Sequence, residues 1–325
     1  MYITIERYPW HFADFGKTWL AFGDNQVIAR WNYVRTTTSK IDRPILYRTP
    51  QITTGCNWRG RLFCGGFSSD NFWNTNWEQF WEYWRGLVGN YGGLDFNPTS
   101  NFIYWSGIGS DMRWLFESTY GIVGYINDYN LFKVSKPKIF ESFEKGQIGL
   151  TPMELSGIVL AIKPLNRFIV VYGDNFITLL QHVRTGLVNT FGIVTTNHVG
   201  IKHKAAVGIS QSNHVFLSND GTLYRIDQQG NITKLGYESL FRDLNKSSIV
   251  INYNRARDSF YISTPTRCFI LNSLGMTETD QIIMSGVNIQ GKWHAILKNR
   301  IDYVNNSFMF THKNSSKYLI FLGGV

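Results

Sequence analysis

Ile169-Val170-Val171-Tyr172-Gly173-Asp174-Asn175-Phe176-Ile177-Thr178 repeats the pattern of Trp19-Leu20-Ala21-Phe22-Gly23-Asp24-Asn25-Gln26-Val27-Ile28. Each is an apolar or aromatic strand, a Gly-Asp-Asn turn and a second apolar strand. Gly and Asn tolerate the positive φ of a tight turn, and Asp can hydrogen-bond the turn's backbone. A hairpin written twice predicts sheet units repeated along the chain.

Further strand–turn–strand readings extend the series. Val215–Leu217 turns through Ser218-Asn219-Asp220-Gly221 into Thr222–Ile226, and Ala205–Ile209 precedes it across Gln211-Ser212-Asn213. Ile249–Tyr253 turns between Asn254 and Asp258 into Ser259–Ile262, and Ser307–Phe310 turns through Lys313–Ser316 into Tyr318–Phe321. Leu155–Ile162 is apolar enough for a buried strand, with Lys163-Pro164 as its stop. Residues 1–50 read as short strands, Arg61–Phe67 as a strand entered by the basic turn Arg59-Gly60, and Asn101–Ser106 as another. The tips near 174, 220, 256 and 314 are spaced close to the roughly 40–50 residues of a four-stranded propeller blade. The expectation is an all-β chain, a single β-propeller over 1–325 with about five to seven blades. A β-sandwich would also supply many strands, but not look-alike hairpins at near-blade multiples.

Residues 68–100 break the pattern as an insertion, with its helical part within about 70–100. Asn76 with Gln79 has the capping-box spacing, and Trp77, Phe80, Trp81 and Trp84 follow at i, i+3, i+4 and i+7, one face of a helix over 77–87. Gly86 and Gly89 supply stops. The stripe reads either as core laid against a sheet edge or as a protruding face that docks a neighbouring subunit.

Composition bounds the rest. Hydrophobic residues make up 43% of the 325 and aromatics 16%, with eleven Trp, so a packed interior rich in pleated sheet is expected. The formal net charge of +9 favours association with something acidic. The charges are scattered, however: the densest cluster is Lys202, His203 and Lys204, a candidate for weak DNA contact, followed by Lys133, Lys136 and Lys138. Three cysteines, Cys56, Cys64 and Cys268, fit no metal motif and are expected reduced and mostly buried. The N-terminal residues lack the pattern of a signal peptide, and no apolar run reaches the roughly 18 residues of a membrane span; no membrane insertion is expected.

Catalytic patterns are scarce. The phosphate-binding loop, the Gly-x-Ser-x-Gly elbow and His-Glu-x-x-His do not occur, and neither does the WD40 signature. His198, His203 and His214 lie in one β-rich region without a carboxylate or Cys that would complete a metal site. Ser218–Thr222 approaches the Asp-box of sialidases, but Asp220 and Gly221 are adjacent where that motif has an intervening residue, and Asp-Gly reads as a hairpin turn. The expectation is therefore no enzyme, no cofactor, no metal site and no catalytic residue.

Arg61–Phe67 followed by Asn101-Phe102-Ile103-Tyr104-Trp105-Ser106-Gly107-Ile108-Gly109, the Ile169–Asn175 hairpin, Gly192–Val199 and Val215–Arg225 together resemble segments of bacteriophage tail β-propeller proteins, across about residues 58–265. The resemblance implies a structural virion protein, a nozzle or hub below the portal and adaptor of a short-tailed phage. It implies copies of the chain assembled in the host cytoplasm into a ring, a hexamer being one such closure. Genomic DNA would pass through that ring, weakly contacted. Nozzle proteins usually add domains that dock adaptor and fibres, so this chain is short for the pattern. A carbohydrate-binding propeller, as a host-receptor lectin or glycan-processing tail protein, is the alternative, and specific binding on a glycan array is its mark.

Overall fold

The computed structural model describes residues 11–14, 18–22, 29–32, 38–40, 51–68, 102–105, 149–185, 188–244, 249–289, 292–297, 310–311 and 317–318. They are almost entirely β-strand. Consecutive strands pair antiparallel in groups of four, so each sheet is a meander that uses its own stretch of chain. The chain divides into two compact units, one of residues 11–198 and one built on residues 199–325.

The first unit holds three such sheets. Strands β1 (His11–Asp14), β2 (Thr18–Phe22), β3 (Ala29–Asn32) and β4 (Thr38–Lys40) form the first. Strands β5 (Gln51–Trp58), β6 (Arg61–Ser68), β7 (Phe102–Trp105) and β8 (Gly149–Pro152) form the second. Strands β9 (Val159–Leu165), β10 (Phe168–Gly173), β11 (Ile177–Thr185) and β12 (Val188–Asn197) form the third. The two Gly-Asp-Asn stretches occupy the same place in their sheets, between the second and third strands. So does the insertion, which lies between β6 and β7; the helix expected over 77–87, with Trp77, Phe80, Trp81 and Trp84, is outside the described residues.

The hairpins differ in detail. Ala21 pairs with Ala29, so the first return strand begins three residues after the expected Gln26. In the second hairpin Tyr172 pairs with Ile177, and the Gly173 N–H donates to Phe176 O at 2.8 Å. Phe176 is fully buried, its ring filling the space where a Cβ on Gly173 would stand. Asp174 and Asn175 reach across to the segment before β9. Asp174 Oδ1 accepts from the Ile158 N–H at 2.9 Å, and the Asn175 side-chain amide donates to Ser156 O at 2.8 Å. With the Asp174 N–H bond to Ile158 O at 3.0 Å, these contacts hold 156–158 against the turn, and β9 starts at Val159 instead of the expected Leu155. Pro164, expected to stop the strand, sits inside β9 opposite Ile169. An edge strand tolerates it because one side of its ladder is unpaired.

Strand β10 is buried at every residue. Its Ile169 and Val171 join Cys56, Trp58, Phe63, Ile103, Val159 and Phe176 in a core between the second and third sheets. Because β-strand side chains alternate, the equally buried Phe168, Val170 and Tyr172 cover the other face. Thr54 Oγ1 accepts from the Ile162 N–H at 3.1 Å, tying β5 to β9, the first strands of neighbouring sheets.

The second unit repeats this architecture. Strands β13 (Val207–Ile209), β14 (Asn213–Leu217), β15 (Leu223–Asp227) and β16 (Ile232–Gly236) form one sheet. Strands β17 (Val250–Asn254), β18 (Ser259–Ser263), β19 (Cys268–Asn272) and β20 (Gly275–Thr279) form the next. One helical turn, α1 (Glu238–Phe241), joins them, its Phe241 buried edge-on against Phe269. The pairs β21 (Ile283–Ile289) with β22 (Lys292–Leu297) and β23 (Phe310–Thr311) with β24 (Lys317–Tyr318) follow. Here too the first strands of neighbouring sheets meet: Ile251 N–H donates to Ala205 O at 2.9 Å. A Cβ on Gly208 would come within 2.5 Å of the Ile251 side chain, so only glycine allows that approach. The tips at 174 and 220 are both second-to-third-strand turns, whereas the tip at 256 joins first and second strands; the expected period mixed two kinds of turn.

Candidate functional site

The most distinctive surface of the first unit grows from the β5–β6 hairpin. Trp58 pairs with Arg61, leaving a two-residue turn of Arg59 (φ 51°) and Gly60 (φ 78°). Positive φ at both positions is the hairpin turn that matches strand twist, and the Asn57 side-chain oxygen accepts from the Gly60 N–H at 2.9 Å. Placing a non-glycine residue, Arg59, in the left-handed region costs conformational energy, and that turn puts a guanidinium at the tip.

Trp58 is the hub. Its indole N–H donates to Asn166 O at 3.2 Å, fastening this tip to the β9–β10 tip, where Leu165 pairs with Phe168. Its ring meets Phe191 at 5.4 Å, edge to face, and His182 at 6.4 Å; Phe63 meets Phe191 at 4.8 Å. The rings interlock at the rim of the core and hold the tips in place.

Arginines stand at the same tips. The Arg59 guanidinium lies 4.6 Å over the Trp58 ring, and that of Arg167, beside Asn166, lies 4.8 Å over Phe168. Arg184 follows His182 by two residues on β11 and so shares its face. Arg61 is buried at the rim, while Arg59, Arg167 and Arg184 are exposed. Burial and then the charges of Arg61, Arg59 and Arg184 hold the His182 imidazole below its ordinary range, so it is neutral at neutral pH. Among the described residues, every charge that bears on His182 is positive. The β9–β10 and β11–β12 connections lie at the same end of their antiparallel sheet, and the Trp58–Asn166 bond brings the β5–β6 tip to that end.

The residues singled out from sequence are arranged differently. Lys202 is exposed and His203 half-buried, but Lys204 is buried, so the basic stretch 202–204 presents one exposed cation, not a three-residue patch. His198 is exposed and His214 fully buried, and among the described residues no group of three His, Cys, Asp or Glu could hold a metal ion. The three cysteines are free thiols and buried. Cys56 faces Phe63 across the ladder and Cys64 faces Gly55, so the first two point to opposite sides of their sheet. Burial pushes the Cys56 thiol up to about 12 against the opposing charge of Lys163, and burial lifts Cys64 and Cys268 as well; all three keep their protons at neutral pH. Sequence reading identified Arg59-Gly60 as a basic turn but missed Arg167, His182 and Arg184. Only the sheet register brings them to it.

No protein-family model and no curated protein matches the sequence. Among solved structures, one described as "YCF48 bound to D1 peptide" aligns with 91% of this chain and 80% of its own, at 8% identity and a TM-score of 0.47.

Proposed function

We propose that this chain is a non-catalytic structural protein of a bacteriophage tail. In this reading it is a β-propeller whose copies close into a ring around the path of the genome, beside portal and adaptor proteins. The observation that supports the reading is the meander arithmetic: among the described residues, five four-stranded sheets, each from consecutive strands, follow one another along the chain. Consecutive meanders are how propeller blades are built, and a closed propeller has few free sheet edges. Such a body suits a load-bearing assembly, and loops inserted between its strands are free to engage neighbours. In this reading the Trp77, Phe80, Trp81 and Trp84 stripe, carried in sequence between β6 and β7, docks an adjacent copy. Rings form when a head-to-tail interface closes by rotation.

Mass photometry of the purified full chain tests this. The expected result is a closed oligomer that falls to monomer in the Trp77→Ala, Trp81→Ala, Trp84→Ala triple variant with its β-sheet signal unchanged. A wild-type chain that stays monomeric at micromolar concentration would overturn the ring, and a triple variant that still assembles would overturn the interface.

A further inference from the structure

The arginine rim has a use that scaffolding does not require. We infer that Arg59 and Arg184 beside Trp58 and His182, with Arg167 on the neighbouring β9–β10 tip, form a docking surface for the phosphodiester backbone of nucleic acid. The inference stands on the geometry of the rim, whatever particle the chain belongs to.

Three features lead there. First, the three exposed guanidiniums sit on or beside three separate hairpin connections gathered at one end of the first unit's sheets, an array suited to a ligand that carries charge at regular intervals. Second, Arg59 and Arg167 lie over aromatic rings. A cation over a ring face is held without a carboxylate partner, so guanidinium N–H groups can turn to phosphate oxygens. Third, the exposed ion pair of the second unit shows what a structurally occupied arginine looks like: Arg267 grips Glu278 through two bonds of 2.7 and 2.8 Å. Among the described residues no such carboxylate partner is seen at Arg59, Arg167 or Arg184. An acidic protein segment would also answer to arginine. The net charge of +9 and the entropy of counterion release favour the denser polyanion, a nucleic acid.

The rim replaces Lys202, His203 and Lys204 as the candidate contact. Binding through about three phosphates is weak and steeply salt-dependent, the logarithm of affinity falling with that of salt at a slope of roughly −2 to −3. This suits a surface along which a strand slides.

Fluorescence anisotropy of the purified full chain with labelled DNA of about 20 nucleotides, single- and double-stranded, titrated between about 50 and 200 mM KCl, tests it. The Arg59→Gln, Arg167→Gln, Arg184→Gln triple variant should lose about tenfold or more in affinity at low salt and most of the slope. Lys202→Gln should change neither. The corresponding triple Arg→Lys variant should retain the slope; if it loses the slope as completely as the glutamine variant, charge is not the cause and the inference fails. Wild-type binding by the glutamine variant also overturns it, as does polyglutamate competing as well as DNA. Circular dichroism and melting temperature, expected unchanged, confirm that each variant folds. DNA binding is scored independently of ring formation, so a failure here leaves the oligomer measurement standing, and the reverse.

Discussion

The turns of the two units differ in how they are held. In the second unit the connections close on themselves. Gly221 N–H donates to Ser218 O and Gly230 N–H to Asp227 O, each at 3.0 Å, with Gly221 and Gly230 at φ 88° and 90°. In both, the first residue's side-chain oxygen accepts from the backbone N–H four residues on, at 3.1 Å in Thr222 and 2.9 Å in Asn231. Consecutive hairpins of one sheet therefore use the same five-residue loop. Ser210 and Thr264 cap their turns in the same manner, each accepting at 2.9 Å from a backbone N–H three residues on. The β5–β6 and β9–β10 tips of the first unit are two-residue turns with Arg59 and Asn166 at positive φ, as Asp258 is in the second unit's β17–β18 turn; what sets them apart is that the Trp58 indole fastens the two tips to each other. Self-satisfied polar loops complete a scaffold. Arg59 and Arg167 lie over aromatic rings with no carboxylate partner among the described residues, whereas Arg267 of the second unit lies over Phe269 and is held by Glu278.

The largest expected effect falls on the hub. Trp58→Ala removes a buried ring that touches Phe63, Phe191 and Asn166, and chemical denaturation should show a loss of about 3–5 kcal/mol. A loss under about 1 kcal/mol would mean the tips are not held by Trp58, and the contrast between units would collapse. Next is Ser218→Ala. Ser218 is buried, and its hydroxyl contacts Asp220, donates to Thr222 O and accepts from Thr222 N–H. Removing it should cost about 1–3 kcal/mol, whereas Arg59→Gln at the first unit's tip should leave the melting temperature unchanged.

Acid sharpens the same comparison. Burial acts to raise Asp220, but the Ser218 and Thr222 hydrogen bonds outweigh it; for Asp227, burial is likewise outweighed by bonds from Asn231, Gln229 and Gly230, and both carboxyls sit below their ordinary range. A carboxyl lowered in the folded state stabilises above its unfolded value and loses that contribution as pH falls through the folded one. Melting curves taken below about pH 4 should therefore show less acid destabilisation in an Asp220→Asn, Asp227→Asn variant than in the wild type. Equal acid sensitivity would detach these turns from the acid response. A small loss, under about 1 kcal/mol by chemical denaturation, is expected from Arg267→Gln, because its pair with Glu278 is exposed on both sides and solvent screens it.

What the sequence reveals follows burial. The strands of the 168–180 hairpin, β14, β17 and β18 are rich in buried apolar residues, and their patterns identify them. Strands β16 and β20 are edge strands with no residue fully covered; Ile232-Thr233-Lys234-Leu235-Gly236 and Gly275-Met276-Thr277-Glu278-Thr279 carry no period-two signal to read. Pro164 misleads for the same reason, since a stop signal loses its force at an edge. The twin Gly-Asp-Asn stretches correctly mark equivalent hairpins, but not the reach of Asp174 and Asn175 across to 156–158. The rim is the least legible part. Arg59, Arg167, His182 and Arg184 are far apart in sequence, ordinary as residues, and joined only by pairing register and one indole hydrogen bond.

The central claim is a repeat-built scaffold encircling the tail axis, and electron cryomicroscopy of particles that carry this chain tests it most directly. The account predicts rotationally arranged copies around the DNA path, each a closed ring of four-stranded sheets. Density for the chain away from that axis, or as isolated single copies, would contradict it.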